Sequence, residues 1–349
     1  MKPKATFAVF AYNQEGLVRE AVEAAFAQTY SPLEIILSDD GSRDRTFEIM
    51  RELAAAYRGP HRVVLNRNEP NLGIGGHVNR VVGMATGDLI LTAAGDDVSL
   101  PLRAEVSMRA WEASGRRASS IHGQWTGIDE QGKPTGAEQG APWPEKDGEF
   151  TRQPAEPEQF IATLRPHVQG SCHGFAKRLF TEFGPLPPDI VYEDLAIAFR
   201  SVLVGEILFI QAPLVNFRQH SQNTYSAIRL ESVSNTEQLG AYHAQLARTL
   251  GRYVTLYESF RADVKTSLEG GRLGLEQAAA LGRAIAAAQK KYRLRQALYD
   301  PSLRRRLRVA RELLAEGLSL RQIMPHLLPR FCSEFYTLTR LRLQRMRKA

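Results

Sequence analysis

The feature that most constrains this chain is the alternation of short apolar runs with amphipathic segments over its N-terminal part. Thr6 to Ala11, Leu33 to Ser38, Arg62 to Asn66 and Asp88 to Ala93 read as strands. Between the first two, Leu17, Val18, Ala21, Val22, Ala25 and Phe26 recur at helical spacing. Phe47, Met50, Leu53, Ala54 and Tyr57 do the same in the next interval, and residues 76–85 form a third helical segment. Strands that alternate with helices predict a parallel sheet with helices on both faces. The strands are apolar throughout, as strands covered on both faces are. The expected class is therefore α/β: a mostly parallel sheet flanked by helices.

Further along, 101–114 reads as a helix, 119–126 as a strand, and 134–157 as a long loop rich in Gly, Pro and charge. A helix is expected from Glu193 to Val204, then strands over 207–210 and 214–217. After Ser221 the character changes. Residues 236–260, 275–299 and 301–315 are Ala-, Leu- and Arg-rich with helical periodicity. We place a boundary near Ser226, giving a sheet domain over 1–225 and a basic α-helical region over 226–349.

Acidic clusters mark the ends of two strands. Asp39-Asp40-Gly41-Ser42 closes the second, and Gly95-Asp96-Asp97 the fourth. Open α/β sheets bind ligands beyond the carboxyl ends of their strands. A third pair, Glu193-Asp194, opens a helix after Pro187-Pro188. Each has a bland reading. The first is turn-like by composition, the second caps the helix after Pro101, and the third suits a helix dipole. Taken chemically, Asp39 can accept a hydrogen bond from a base N–H or ribose hydroxyl. Two adjacent carboxylates suit a hard cation that keeps waters and phosphates in its shell. Gly73, Gly75 and Gly76 permit close backbone approach, but the GIGGH spacing and its distance from the first strand exclude a dinucleotide-binding glycine loop. His220 reads as a metal or phosphate contact or an exposed loop histidine; His173 as an acceptor-pocket residue or a structural one.

Composition narrows the partners. Two cysteines, Cys172 and Cys332, form neither a disulfide framework nor a zinc pattern, which fits a reducing compartment. No signal-peptide pattern follows the N-terminus, and no apolar run is long enough to span a bilayer. A cytoplasmic protein, peripheral at the inner face of the membrane, is expected. Of the net +7, residues 283–349 carry 17 Lys and Arg against 4 Asp and Glu, a net +13, which leaves the remainder at −6. So basic a C-terminal region points to an anionic partner. The aromatic-basic interleaving of an RNA-binding sheet is missing, so nucleic acid is not expected. An anionic membrane surface fits an amphipathic basic helix there; a solvated bundle or homodimerisation through these helices is the alternative.

Taken in order, these motifs resemble glycosyltransferase family 2 of the GT-A fold, over about residues 5–223. The resemblance rests on Tyr12-Asn13 after the first strand, the Asp-Asp-Gly-Ser turn, Asn71-Leu72-Gly73 with Asn79, and Gly87-Asp88. It continues through Gly95-Asp96-Asp97, Leu179-Phe180-x-x-Phe183-Gly184, Glu193-Asp194 and Arg218-x-His220. It implies a nucleotide-diphosphate sugar donor, most readily a UDP-sugar, held by Ala11, Tyr12, Asn13, Glu15, Asp39, Asp40, Asn71, Gly73, Asn79 and Asp96. It implies Mn²⁺ or Mg²⁺ at Asp97 with help from His220, and Asp194 as catalytic base in an inverting transfer. The acceptor, a cell-envelope polysaccharide or lipid-linked glycan, would meet the 134–157 loop, the 170–175 segment with His173, and Glu193. Many relatives carry a further acid where this chain has Ala94, which leaves Asp96 and Asp97 as the only carboxylates of their loop. The competing functions are a nucleotide-sugar-binding protein without activity and a nucleotidyltransferase. The latter is disfavoured because Tyr12-Asn13-Gln14-Glu15 lacks a Gly-rich basic run.

Overall fold

A computed structural model describes residues 2–139, 150–153, 155–220, 236–300 and 302–315, with 317, 319 and 323. Seven elements alternate at the start: β1 (Ala5–Ala11), α1 (Val18–Phe26), β2 (Leu33–Asp39), α2 (Thr46–Ala56), β3 (Arg62–Arg67), α3 (Gly73–Met84) and β4 (Leu89–Ala94). β5 (Val98–Ser99), α4 (Arg103–Ala113), β6 (Ala118–Ile128), β7 (Pro134–Gln139) and β8 (Phe150–Gln153) follow. Then come α5 (Pro157–Thr163), a 3-10 turn (Gly170–Cys172), β9 (Gly174–Ala176), α6 (Arg178–Phe183), α7 (Glu193–Val204) and β10 (Glu206–Arg218). Helices α8 (Thr236–Glu269), α9 (Leu275–Ala297) and α10 (Leu303–Ala315) complete the order.

One sheet runs β3-β2-β1-β4-β9-β6-β10-β5, with β7 on β6 and β8 on β10. The first four strands pair in parallel, as does β6 with β10. The three-residue β9 lies antiparallel between β4 and β6. Both faces of β1 and β2 are covered: every residue of β2 is buried, including Glu34, Ser38 and Asp39. Phe7, Val9, Ile35, Leu37, Leu89 and Leu91 join Val18, Val22, Met50, Met108 and Trp111 in one core.

Three expectations change. The ends of the 134–157 loop are strands β7 and β8, paired with β6 and β10; residues 140–149 and 154 lie outside the described residues. The strands expected at 207–210 and 214–217 are a single β10, whose register against β6 shifts around Pro213. Proline there lacks the N–H that a regular ladder would use. Helix α3 begins at Gly73 instead of Gly76.

Contacts divide the chain into two compact units: Met1–Ser221 with Ser259–Ala284, and Gln222–Glu258 with Ile285–Ala349. In the first unit, Phe260 of α8 stacks on Phe199 with ring centroids 4.1 Å apart and also meets Phe160. Nearby, the buried Asp263 carboxylate accepts from Arg200 Nε at 3.1 Å. Arg200 also donates to the Gly184 carbonyl at 2.8 Å and lies over the rings of Phe180 and Phe183. This joins α6, α7 and the end of α8. In the second unit, Tyr253 stacks on Tyr292, and Leu298, Val309, Ala310, Leu313 and Ile323 form a small core. Among the described residues no helix is long and apolar enough to cross a membrane.

Candidate active site

The site lies at the carboxyl ends of β1, β2 and β4. Asp39 ends β2 and folds the turn after it: its Oδ2 accepts from the Gly41 and Ser42 N–H groups at 3.1 and 2.9 Å, and its Oδ1 from the Ser42 hydroxyl. Gly41 has φ +74°, and a Cβ there would meet the Asn68 carbonyl oxygen at 2.9 Å, so the turn requires glycine. Asp40 faces the other way. Its Oδ1 accepts from Asn68 Nδ2 at 2.8 Å and the Leu72 N–H at 2.9 Å, and its Oδ2 from the Gly73 N–H at 3.0 Å. Asp40 therefore ties the start of α3 to the β2 loop. Asn71 strengthens the tie by donating to the Asp40 carbonyl at 2.7 Å.

The loop after β1 is bolted to the same turn. The Asn13 N–H donates to Ser42 Oγ at 2.8 Å, and Asn13 Oδ1 accepts from the Arg43 N–H at 2.9 Å. Glu15 Oε2 accepts from the Arg45 N–H at 3.0 Å, while the Glu15 N–H donates to Asp44. Asn13 takes a left-handed conformation, φ 53°, which asparagine tolerates better than most residues. Ala11 is buried, and Tyr12 is left 45% exposed at the rim. Beneath the turn, His77 Nε2 meets Ser38 Oγ at 2.6 Å, and Asn66 bridges Ser38 to Asn68. Burial holds the His77 imidazole down at about 4 against the pull of Asp40, so the ring is neutral.

Asp96 and Asp97 follow β4. The Gly95 N–H donates to the Phe10 carbonyl at 2.8 Å, and a Cβ on Gly95 would strike Gln14 and Ala11. The acidic loop thus lies against the β1 loop. Arg218, fully buried at the end of β10, organises it. Its backbone N–H donates to Asp97 Oδ1 at 2.8 Å, and its guanidinium donates to the carbonyls of Asp96, Asp129 and Glu130 and to Glu20 Oε2. His220 Nε2 sits 2.9 Å from Asp96 Oδ2. Among the described residues, Asp97 Oδ2 has no hydrogen-bond partner and is buried. Burial, then the charge of Asp96, pushes the Asp97 carboxyl up to about 7.

The third acidic pair and the second both border the Gly170–Cys172 turn. A Cβ on Gly170 would come within 2.9 Å of Glu193 Oε1 and 3.9 Å of Asp194 Oδ2. The Ser171 side chain acts on Asp97, and the charges of both Asp97 and Asp194 act on the buried Cys172 thiol. Burial raises the Asp194 carboxyl, and burial with the neighbouring Asp194 charge pushes Glu193 up to about 8. Asp194 Oδ1 accepts from the Leu195 N–H at 2.7 Å, and the charge of His167 pulls its carboxyl down in part.

The side chains of Asn79 and His173 bond elsewhere. Asn79 exchanges two 2.8 Å bonds with the Leu186 backbone, bracing the 185–190 segment. Gly75 adjoins the same segment: its N–H donates to the Ile190 carbonyl at 3.2 Å, and a Cβ would lie 2.4 Å from the Pro187 oxygen. His173 is buried, with Nε2 2.8 Å from Ser120 Oγ, which in turn bonds Ser201. Its imidazole is held well below the usual histidine range by burial, so it is part of the core and not of an open pocket. Ser171, Gly170 and Glu20 were not singled out individually by sequence reasoning, and Arg218 only as part of a motif. The signal for Arg218 was a charged residue ending an otherwise apolar strand.

Among the described residues no group of three or more His, Cys, Asp or Glu side chains could hold a metal by itself. Asp97 Oδ2 nonetheless fits one. It is a buried acceptor with no partner among the described residues, and a hard cation takes the rest of its shell from water and phosphate oxygens.

The model of glycosyl transferase family 2 matches residues 6–182, and the chain belongs to that family. EpsE of Bacillus subtilis is 37% identical over 103 residues, covering 30% of this chain and 36% of that protein. The succinoglycan biosynthesis protein ExoO of Rhizobium meliloti is 35% identical over 113 residues, covering 32% and 31%. The matched stretch thus spans about a third of those relatives' own length. Among solved structures, S. aureus TarS residues 1–349 in complex with UDP-GlcNAc superposes with a TM-score of 0.54 at 15% identity, covering 91% of this chain and 93% of that one. The shared fold is GT-A.

Proposed function

We propose that this protein is an inverting, metal-assisted glycosyltransferase that moves a sugar from a nucleotide diphosphate, UDP in the first instance, to a hydroxyl of a cell-envelope glycan or lipid-linked acceptor. The observation that carries the reading is that Asp97 and Asp194 border the same three-residue turn, next to the loops that end β1 and β2. TarS, with its UDP-GlcNAc, supports the choice of donor. ExoO, a succinoglycan biosynthesis protein, supports a polysaccharide acceptor.

In this reading the β1 and β2 loops receive the nucleoside. Asp39 has acceptor capacity left after its turn bonds, since a carboxylate offers about four lone-pair sites, and the exposed Tyr12 ring offers a stacking face. Asp96 would meet the ribose or the sugar. Asp97 Oδ2 would hold Mn²⁺ or Mg²⁺ with help from His220, which bonds Asp96, and the ion would supply charge neutralisation for the leaving diphosphate. Asp194 takes the proton from the acceptor hydroxyl as its oxygen bonds to the anomeric carbon and the carbon–diphosphate bond breaks. Because Glu193 and Asp194 titrate as a pair, one proton kept on Glu193 leaves Asp194 free to accept another.

The test is transfer from a panel of nucleotide-sugar donors, with donor binding followed by thermal shift. Asp194→Asn should abolish transfer and keep nucleotide stabilisation in Mn²⁺. Near-normal turnover would remove Asp194 as base, and no stabilisation by any nucleotide diphosphate would remove the donor assignment.

A further inference from the structure

We propose that the outer face of α10 is a docking surface for an anionic lipid bilayer. The inward side of this helix is settled by packing: Val309, Ala310 and Leu313 are buried in the small core with Leu298 and Ile323, and Arg306 is buried beside them. At 3.6 residues per turn, the opposite side presents Arg304, Leu307, Arg308, Arg311 and Leu314 together. Leu307 and Leu314, two turns apart, are 55% and 41% exposed. The two leucines thus form an apolar edge along the exposed side of the helix.

Their neighbours choose the occupant. Arg304, Arg308 and Arg311 are exposed, and none forms an ion pair among the described residues. Arg305, to one side, is already paired with Asp300 at 3.0 Å. Glu312 is the sole acid of the exposed side within α10. Leucines along one edge and unpaired guanidinium groups along the next match a helix lying in a bilayer interface, with its apolar edge among acyl chains and its cations at lipid phosphates. An acidic protein surface would satisfy the arginines but leave no reason for the leucine edge. Of the net +13 over 283–349, α10 itself carries +4, and the other +9 adds attraction to an anionic leaflet. This proposal is independent of the donor and acceptor chemistry above.

The full chain is tested by co-sedimentation with phosphatidylcholine vesicles with and without phosphatidylglycerol. The protein should partition onto the phosphatidylglycerol vesicles and lose that partition as salt is raised. Each arginine removed should weaken it roughly fivefold, so Arg308→Gln with Arg311→Gln weakens it about 25-fold. Leu307→Asn with Leu314→Asn should weaken it at unchanged charge, a result that counterion attraction alone does not produce. Circular dichroism and melting of both variants should match the parent, because every altered side chain is exposed. Equal partition of the parent onto both vesicle types would overturn the proposal. So would full binding by both variants, which would place the attraction elsewhere in the basic region. Concentration-dependent self-association that Leu307→Asn abolishes, without vesicle binding, would assign the face to a second copy instead.

Discussion

At the residue scale, the site stores charge where burial resists it, and that gives two opposed expectations. Asp97 carries an orphaned oxygen and a carboxyl raised to about 7. Asp97→Asn removes the buried charge at nearly constant shape. In chelator at pH 8 the variant should melt at or above the parent temperature, yet lose the Mn²⁺-dependent part of nucleotide stabilisation, a function–stability trade-off. A lower melting point together with intact Mn²⁺ dependence would refute the role given to Oδ2. Glu193 gives the pH counterpart. Its folded value of about 8 stands above its ordinary 4.5, so the native state binds more protons than the unfolded chain between those limits. Stability contributed by the protonated form is complete at low pH and is lost as pH rises toward 8. Glu193→Gln should flatten the decline in urea midpoint between pH 5 and about 8; an unchanged decline would locate the proton elsewhere. These residues were legible in the sequence as acids at element ends. Their division of labour was not. Asp39 and Asp40 are neighbours of identical chemistry, and only the folded turn shows that one closes it while the other holds α3. The surroundings of Asp97 are equally invisible, since the N–H that meets its Oδ1 belongs to Arg218, 121 residues away.

At the element scale, the early strands and helices could be read because each satisfies a local pattern: apolar strands, amphipathic helices and acids at the strand ends. β9, α6 and the true start of α3 escaped because their reasons lie across the chain. Three residues of β9 suffice as a strand only because β4 and β6 flank it. Helix α3 can start at Gly73, φ +72°, because Asp40 accepts its first N–H groups. The glycines of α3 also acquire a different use from the one their spacing suggested. Gly75 gives room to the Pro187–Ile190 segment, which leads directly into Glu193 and Asp194. Gly75→Ala should leave the helix sound, since alanine is the better helix former by about 1 kcal/mol. The added methyl must displace the Pro187 carbonyl and the segment behind it. The expected result is a kcat lowered at least tenfold, with nucleotide stabilisation and melting temperature close to the parent's. Full activity would show that the 187–190 segment does not set the position of Asp194.

At the scale of the whole molecule, sequence composition and three-dimensional contact divide the chain differently. The shift to Ala-, Leu- and Arg-rich helices near residue 226 is real as composition, but residues 259–284 pack with the sheet unit. Helical periodicity says that a segment has an apolar face; it does not say which unit covers it. The consequence can be weighed. A chain ending at 225 loses Phe260 from its contacts with Phe160 and Phe199, and leaves the guanidinium of Arg200 buried without Asp263. Loss of a buried aromatic costs about 3–5 kcal/mol, and a buried charge stripped of its partner about the same. Together these are comparable with the roughly 5–15 kcal/mol that holds a domain folded. A chain ending at 284 keeps both. The shorter chain should lack a cooperative urea transition and bind no nucleotide, whereas the longer one should retain a single transition and nucleotide stabilisation. Should both melt cooperatively within a few degrees of each other, the end of α8 would be an accessory to the sheet unit, and Arg200 would have to be satisfied by the carbonyls of Gly184 and Pro185 alone.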